Sequence, residues 1–494
     1  MLRKRLTTRL LMIGVAVTAS LTAETVHIDW NKVQRVSDTT PTLQVVVNPP
    51  LRRGSSIHDR VFSELQKLGA DYVRYVPWLP YPKLGVAELE PPANGKTSWD
   101  FSLIDPMTED FVNATHGHSV ILNFSTIPAW LFTTPKPVEY PTDPNQVDWH
   151  YTQGTELRDR SMKELGDYYA RLVSWYVNGG FTDELGKRHE SGHHFKIDYW
   201  EVLNEVDFEH NMTPEQYTAR YDAIVSAIRR IAPQMKFVGL ALAMPSDNPQ
   251  MFEYFLDHKH HRPGIPLDMI SYHFYASPSA DQSPKVQQFT FFDQADRFLA
   301  TVRYIEAIRQ RLSPETRTTV DEIGSISADD GEQTKPGHVT KPIPNSYWNL
   351  SGATFAYVFA RLAEMGINVA GESQLVGYPT QFPSVSMVDW NTGAPNARFG
   401  VLKLLKDSFG LGDKIVDSSS GSPYVLSFAA IKPNGGRKLL LINKRDRTFN
   451  LTMPTDPAQA SVVDQTTHGT PETSKPSGKT IQLRGLAVAV VDFK

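Results

Sequence analysis

Between residues 42 and 410 one pattern recurs eight times: a short apolar run, then a connection that is usually helical. The runs are LQVVV (43–47), ADYVRYV (70–76), SVILNF (119–124), KIDYWEVL (196–203), KFVGLALA (236–243), DMISYHF (268–274), RTTVDEI (317–323) and INVAGESQLV (367–376). The connections carry helix signals. Ile57, Val61, Leu65 and Leu68 stand at helical spacing before Gly69, a C-cap. Thr213, Pro214 and Gln216 supply an N-cap, a first-turn proline and a capping-box partner. Eight such units predict an α/β fold, the parallel (β/α)8 TIM barrel. An open doubly wound sheet usually carries a glycine-rich phosphate turn after an early strand, and no G-x-G-x-x-G or Walker pattern occurs here.

The barrel is expected to span 41–410. After it the helices stop. Short β-runs separated by Gly, Pro and Asn, with KPNGGRK as a hairpin turn, predict a β-sandwich domain over 411–494. TVHIDW (25–30), within 24–40, is expected to add an N-terminal strand that packs on the sandwich. Residues 1–23 have the order of a secretory leader: Arg3, Lys4, Arg5 and Arg9, then LLMIGVAVTA, then cleavage after Ala19 or Ala23. The expected location is therefore secreted or periplasmic, with no membrane attachment after cleavage. The chain has no cysteine, which excludes disulfides, thiol catalysis and thiolate-bound zinc. With 50 basic against 54 acidic residues, nothing points to a nucleic-acid partner.

In such a barrel the chemistry sits where the strands end. Strand four runs into Asn204-Glu205, and strand seven, in VDEIGS, ends on Glu322. Two carboxylates far apart in sequence thus meet at one mouth. Glycoside hydrolysis requires such a pair: one protonates the leaving oxygen, the other attacks the sugar carbon or activates water. A non-catalytic carbohydrate-binding barrel would not need both. HKHHRP (258–263) and SGHHF (191–195) lie between elements, and they read as solvated loops rather than metal sites. No cofactor or metal is expected.

WEVLNE followed by DEIG resembles the clan A retaining glycosidases, and most closely glycoside hydrolase family 39, the group of β-xylosidases and α-L-iduronidases. FSELQKLGADYVRY, ILNFSTIPAWL and FGVLKLLKDSFG carry the likeness along the barrel. The resemblance implies that Glu205 is the acid/base and Glu322 the nucleophile. It implies that Asn204 bonds the sugar 2-hydroxyl, that Arg74 supports the nucleophile, and that His273 and Tyr275 stand beside it. An arginine and a tyrosine hydroxyl favour the carboxylate form of Glu322. Glu205 must hold its proton, as burial and nearby negative charge allow.

Trp78 and Trp130 follow strands two and three, where an indole serves either as a sugar platform or as core. Strand eight reads GESQLVGYPTQF, without the tryptophan many clan A enzymes place there, so Glu372, Gln374 and Tyr378 are candidates to line the site instead. Segment 325–348 either folds over the mouth or is a surface loop. The expected activity is retaining hydrolysis of an oligosaccharide or polysaccharide, β-xylosidase first. The alternatives on the same scaffold are α-L-iduronidase, β-galactosidase, arabinobiosidase and endo-acting exopolysaccharide hydrolase.

Overall fold

Eight parallel strands close into a barrel in chain order: Thr40–Val46, Val73–Val76, Val120–Leu122, Tyr199–Glu201, Lys236–Leu242, Met269–Ala276, Arg317–Ser325 and Val369–Glu372. The computed structural model describes residues 24–279, 282–335 and 337–494; the expected leader lies outside them. The eighth strand closes on the first, with Val369 beside Thr40 and Glu372 beside Leu43. Strands such as Val73–Val76 are buried at every position, because one face meets the barrel interior and the other the helices. This is why they read as apolar runs without alternation. All eight strands run the same way, so their C-terminal ends share one rim.

The helices insulate the barrel from water. His58–Leu68 buries Val61, Phe62, Leu65 and Leu68, and it stops at Gly69, whose φ of 57° suits a residue without a Cβ. Pro214–Arg229 starts with the expected capping box, in which Thr213 and Gln216 bond each other's backbone. The sequence reading contains no helix between strands five and six. The structure has Pro249–Leu256, which buries Met251, Phe252, Phe255 and Leu256. At eight residues it is too short for a helical period to stand out before the polar histidine tract. Two further helices, Pro284–Leu312 and Asn345–Met365, start about two turns earlier than their apolar repeats indicate. Among the described residues no helix is long and apolar enough to cross a membrane.

The C-terminal part is a domain of two sheets, antiparallel except where Glu24–Thr25 joins Phe449–Thr452 in parallel. Its seven-stranded sheet runs Glu472–Ser474, Gln459–Val463, Val488–Phe493, Arg437–Asn443, Val425–Ile431, Lys414–Ser419, His27–Val36. The outermost strand comes from the N-terminal side: His27–Val36 pairs antiparallel with Lys414–Ser419. A three-stranded sheet, Glu24–Thr25, Phe449–Thr452 and Thr480–Leu483, faces it across a core that includes Val26, Leu439, Leu441, Leu451 and Val491.

Candidate active site

Strand four stops at Glu201, but the chain stays on the rim. Val202 N donates to Val238 O and Glu205 N to Ala241 O, at 3.0 and 2.8 Å. Between them Leu203 (φ 66°) and Glu205 (φ 41°) adopt left-handed backbone, which costs a non-glycine residue on the order of 1 kcal/mol each. Asp207 holds the strained loop in place: its carboxylate accepts from Ala243 N and Met244 N at 2.9 Å and from Asn248 Nδ2 at 3.0 Å. The result brings Asn204 and Glu205 together with side chains from strands one, two, six and seven and with Ser373 at the end of strand eight.

Arg74, on strand two and almost wholly buried, is the hub. Its Nη1 donates to Glu322 Oε1 at 2.5 Å and to Gln44 Oε1 at 2.6 Å, its Nη2 to Asn204 Oδ1 at 2.7 Å, and its Nε to Glu201. Tyr275 OH donates to Glu322 Oε2 at 2.6 Å and also meets Ser373 Oγ at 2.6 Å, while Gln44 Nε2 donates to Ser373 Oγ at 2.8 Å. Both Glu322 oxygens are thus engaged. Gly324 makes room for this: a Cβ there would lie 2.9 Å from the Tyr275 ring. His273 lies between the two glutamates, its Nδ1 3.0 Å from Glu205 Oε1 and 3.5 Å from Glu322 Oε2. One carboxylate oxygen of each glutamate and a nitrogen of His273 all lie within 4.8 Å of one another.

The two glutamates therefore sit in different surroundings. Burial pushes Glu205 above the usual carboxylate range; His273 opposes this, and the negative charges of Glu322 and Asp207 add to it. Burial alone would lower His273, but the facing carboxylates Glu322 and Glu205 outweigh it and push the imidazole up to about 9. Beneath them lies a pair absent from the sequence reading. Burial, then the charge of Glu201, pushes Asp321 well above its ordinary range. Glu201 is buried too, yet Arg74 holds it below its ordinary value, helped by bonds from Asp321 and Ser271. The pair is thus split, with Asp321 biased towards its neutral form and Glu201 towards its ionised one. A charged residue inside an apolar strand, as in YWEVL and TVDEI, was the available signal.

His273→Gln removes the cation that stabilises ionised Glu205. The pKa of Glu205 should then rise further, and the alkaline limb of kcat/KM should move to higher pH in a pH–rate profile. An unmoved limb in a folded variant would separate His273 from Glu205.

Three expected site residues lie elsewhere, and a fourth, Tyr378, stands in a turn beyond strand eight. Strand eight alternates, so Ser373 faces the cluster while its neighbours face away. Glu372 is fully buried against Arg398 of the last barrel helix, Nε to Oε1 at 3.0 Å, where burial raises it to about 8 despite that partner. Gln374 is buried too, and its amide donates to Val376 O at 2.9 Å. Trp130 donates to Glu88 O at 2.8 Å, has the Arg158 guanidinium 4.4 Å above its ring and packs on the core, so it serves structure rather than as a platform. Tyr378 is half-buried in a turn that pairs with Gln381.

Trp78 does reach the site: its indole donates to Glu209 Oε1 at 2.7 Å. It meets Trp149 edge-on at 5.3 Å and lies near-parallel to Phe382 at 6.3 Å, which makes an aromatic wall from three loops. Segment 325–348 is tied to the Phe382 loop. Asp330 accepts from Ser327 and Ser384, and Gln333 Oε1 accepts from Phe382 N at 2.7 Å. The histidine tracts are anchored singly: His261 bonds Asp222 at 2.7 Å and is buried rather than solvated, and His193 bonds Asp105 at 3.2 Å. Among the described residues, the set with metal-ligand spacing is Glu205, His273 and Glu322. There Arg74 and Tyr275 already occupy Glu322, and a guanidinium at 2.5 Å repels a second cation.

Residues 146–297 match the family model described as alpha-L-arabinofuranosidase 1 domain. The match takes in strands four to six with Asn204, Glu205 and His273, and it ends before Glu322. It supports a glycosidase. Residues 423–491 match the D-apionate lactonase, C-terminal immunoglobulin-like domain. The fold is similar to that of a GH51 arabinofuranosidase from Xanthomonas axonopodis pv. citri (TM-score 0.61, 13% identity, covering 95% of this chain and 99% of that one). It is also similar to a family 51 alpha-L-arabinofuranosidase from Bifidobacterium longum (0.61, 14%, 96% and 100%) and a GH30 endoxylanase from Clostridium papyrosolvens (0.55, 13%, 95% and 99%). At these identities the likeness is one of fold. A search of curated proteins gave no match. The family-model match supports a glycosidase, and none of these matches singles out family 39.

Proposed function

We propose that this protein is an exported retaining glycosidase, with Glu205 as acid/base and Glu322 as nucleophile. The observation that carries the proposal is the placement of Glu205, His273 and Glu322 within 4.8 Å of one another, each carboxyl in a distinct environment. Retaining enzymes hold their carboxyl groups about 5–5.5 Å apart, and inverting ones hold them further apart to admit a water. Glu322, bonded by Arg74 and Tyr275, is suited to attack as an anion. Glu205, pushed upward by burial, is suited to hold a proton for the leaving oxygen. When the glycosyl-enzyme forms, Glu322 loses its charge, Glu205 gives up its proton more readily, and it then serves as base for water.

The sugar we propose is a pentose. A β-xyloside is the first reading, from the resemblance of WEVLNE and DEIG to family 39. An α-L-arabinofuranoside is the second, favoured by the family-model match over 146–297. Export rests on the leader pattern of residues 1–23. Nitrophenyl β-xyloside and α-L-arabinofuranoside should be cleaved faster than the matching glucoside and galactoside. Faster cleavage of a hexoside would overturn the choice of sugar, and cleavage of none would overturn the activity.

A further inference from the structure

One carboxyl at the mouth has no part in the mechanism above. Glu209 lies one turn beyond Glu205, its N–H donating to Glu205 O at 2.7 Å. Its Oε1 accepts two bonds, from Trp78 Nε1 at 2.7 Å and from Asn204 Nδ2 at 2.9 Å. We propose that Glu209 is a third carboxyl of the active site, which positions Asn204 and Trp78 and offers Oε2 to a hydroxyl of the bound sugar. This rests on the glycosidase reading and deepens it.

The geometry argues as follows. Arg74 takes Asn204 Oδ1 at 2.7 Å and Glu209 takes one N–H of Nδ2, so the amide has a single orientation and one N–H left to give. Asn204 itself stands between the guanidinium that holds Glu322, to which it is bonded, and Glu205, the next residue along the chain. A ligand group there is a hydroxyl, which accepts from Asn204 and bonds the adjacent carboxyl oxygen. Both hydrogen bonds to Glu209 fall on Oε1, which leaves Oε2 for that role. The aromatic wall begins at the same point, since the indole held by Glu209 is the one that meets Trp149 and Phe382. A carboxyl beside an aromatic face suits a sugar, which has hydroxyl edges and an apolar C–H face. Burial, followed by the charge of Glu205, raises Glu209 to about 8, while Asn204 and Trp78 pull it down; Glu322 is the other charged group facing it. Near neutrality Oε2 therefore can carry a proton and donate as well as accept.

A clip that only closes the loop 204–209 would give the same bonds, so the test must separate the two. Glu209→Leu removes the acceptor; Glu209→Gln keeps it. With an aryl glycoside, Glu209→Leu should lower kcat/KM by about 10²-fold and Glu209→Gln by about tenfold or less. The loss in Glu209→Leu should shrink to a few-fold on the 2-deoxy glycoside. Combined with Asn204→Ala, the losses should be far from additive. Equal loss on both substrates, or additive losses with Asn204→Ala, would reduce Glu209 to a structural clip and overturn the proposal. A separate readout needs no turnover. Tryptophan fluorescence of the wild type should show a step near pH 8 that Glu209→Gln and Trp78→Phe both abolish. A step that survives unchanged in Glu209→Gln would overturn the Glu209–Trp78 contact. A wild type that shows the step but cleaves no glycoside would overturn the glycosidase reading instead, and with it the role in substrate binding.

Discussion

Glu322→Ala should lower kcat/KM by about 10⁴-fold or more, on good and poor leaving groups alike, because no covalent intermediate can form without its carboxylate. Glu205→Ala should behave differently. A nitrophenolate departs with little help, so the first step should survive on nitrophenyl glycosides and fall by about 10²–10⁴-fold on alkyl glycosides. Hydrolysis of the intermediate should slow, because water has lost its base, and added azide, which needs no deprotonation, should restore turnover. The structure gives the reason for this asymmetry. Glu322 has both oxygens held by Arg74 and Tyr275, whereas the Glu205 side chain has, among the described residues, one hydrogen bond, to His273, and burial that favours its proton. Kinetics across leaving groups checks the pair. A leaving-group dependence confined to Glu322→Ala would reverse the two roles.

Arg74→Met should strongly destabilise the barrel interior. It removes the only guanidinium that contacts Glu201, Asp321 and Glu322 among the described residues. Stranding buried carboxylates in this way costs about 3–5 kcal/mol. The loss should depend on pH with a definite sign. Glu201 is held below its unfolded value of 4.5, so Arg74 contributes stability above that value, and the contribution is lost as the pH falls through the depressed one. Urea denaturation should therefore show the full gap between wild type and variant at pH 7, and the gap should narrow in acid. A gap under about 1 kcal/mol, or one indifferent to pH, would mean that the cluster does not depend on Arg74.

The barrel was legible because its strands are buried on both faces and so appear as apolar runs, each followed by a helix with recognisable ends. What escaped were elements with weak local signals. Pro249–Leu256 is barely two turns long, and Lys414–Ser419 reads KIVDSS, half polar because Asp417 and its neighbours lie partly open to water. At the site, the glutamates, Asn204, Arg74, His273 and Tyr275 come together through hydrogen bonds from one to the next. These residues end or interrupt strands whose apolar pattern gave their register away. Strand eight failed for the opposite reason. In GESQ any of three polar residues faces inward depending on a one-residue shift, and Ser373 is the one that does. Asp321 sits inside strand seven, and Glu201 lies within the apolar run that leads to Asn204-Glu205, so a search confined to the ends of the apolar runs passes over both. Glu209 acts through Trp78, a residue from another loop, and no spacing in the sequence brings the two together.

The central claim is double displacement through a glycosyl-enzyme, and its stereochemistry tests it most directly. The wild-type enzyme should be given an aryl glycoside in the presence of methanol and the product followed by proton NMR. Methanol competes with water for the intermediate, so the account predicts a methyl glycoside with the anomeric configuration of the substrate. Release of sugar with the opposite configuration and no retained methyl glycoside would contradict it, because Glu322 would then be activating water rather than bonding to the sugar.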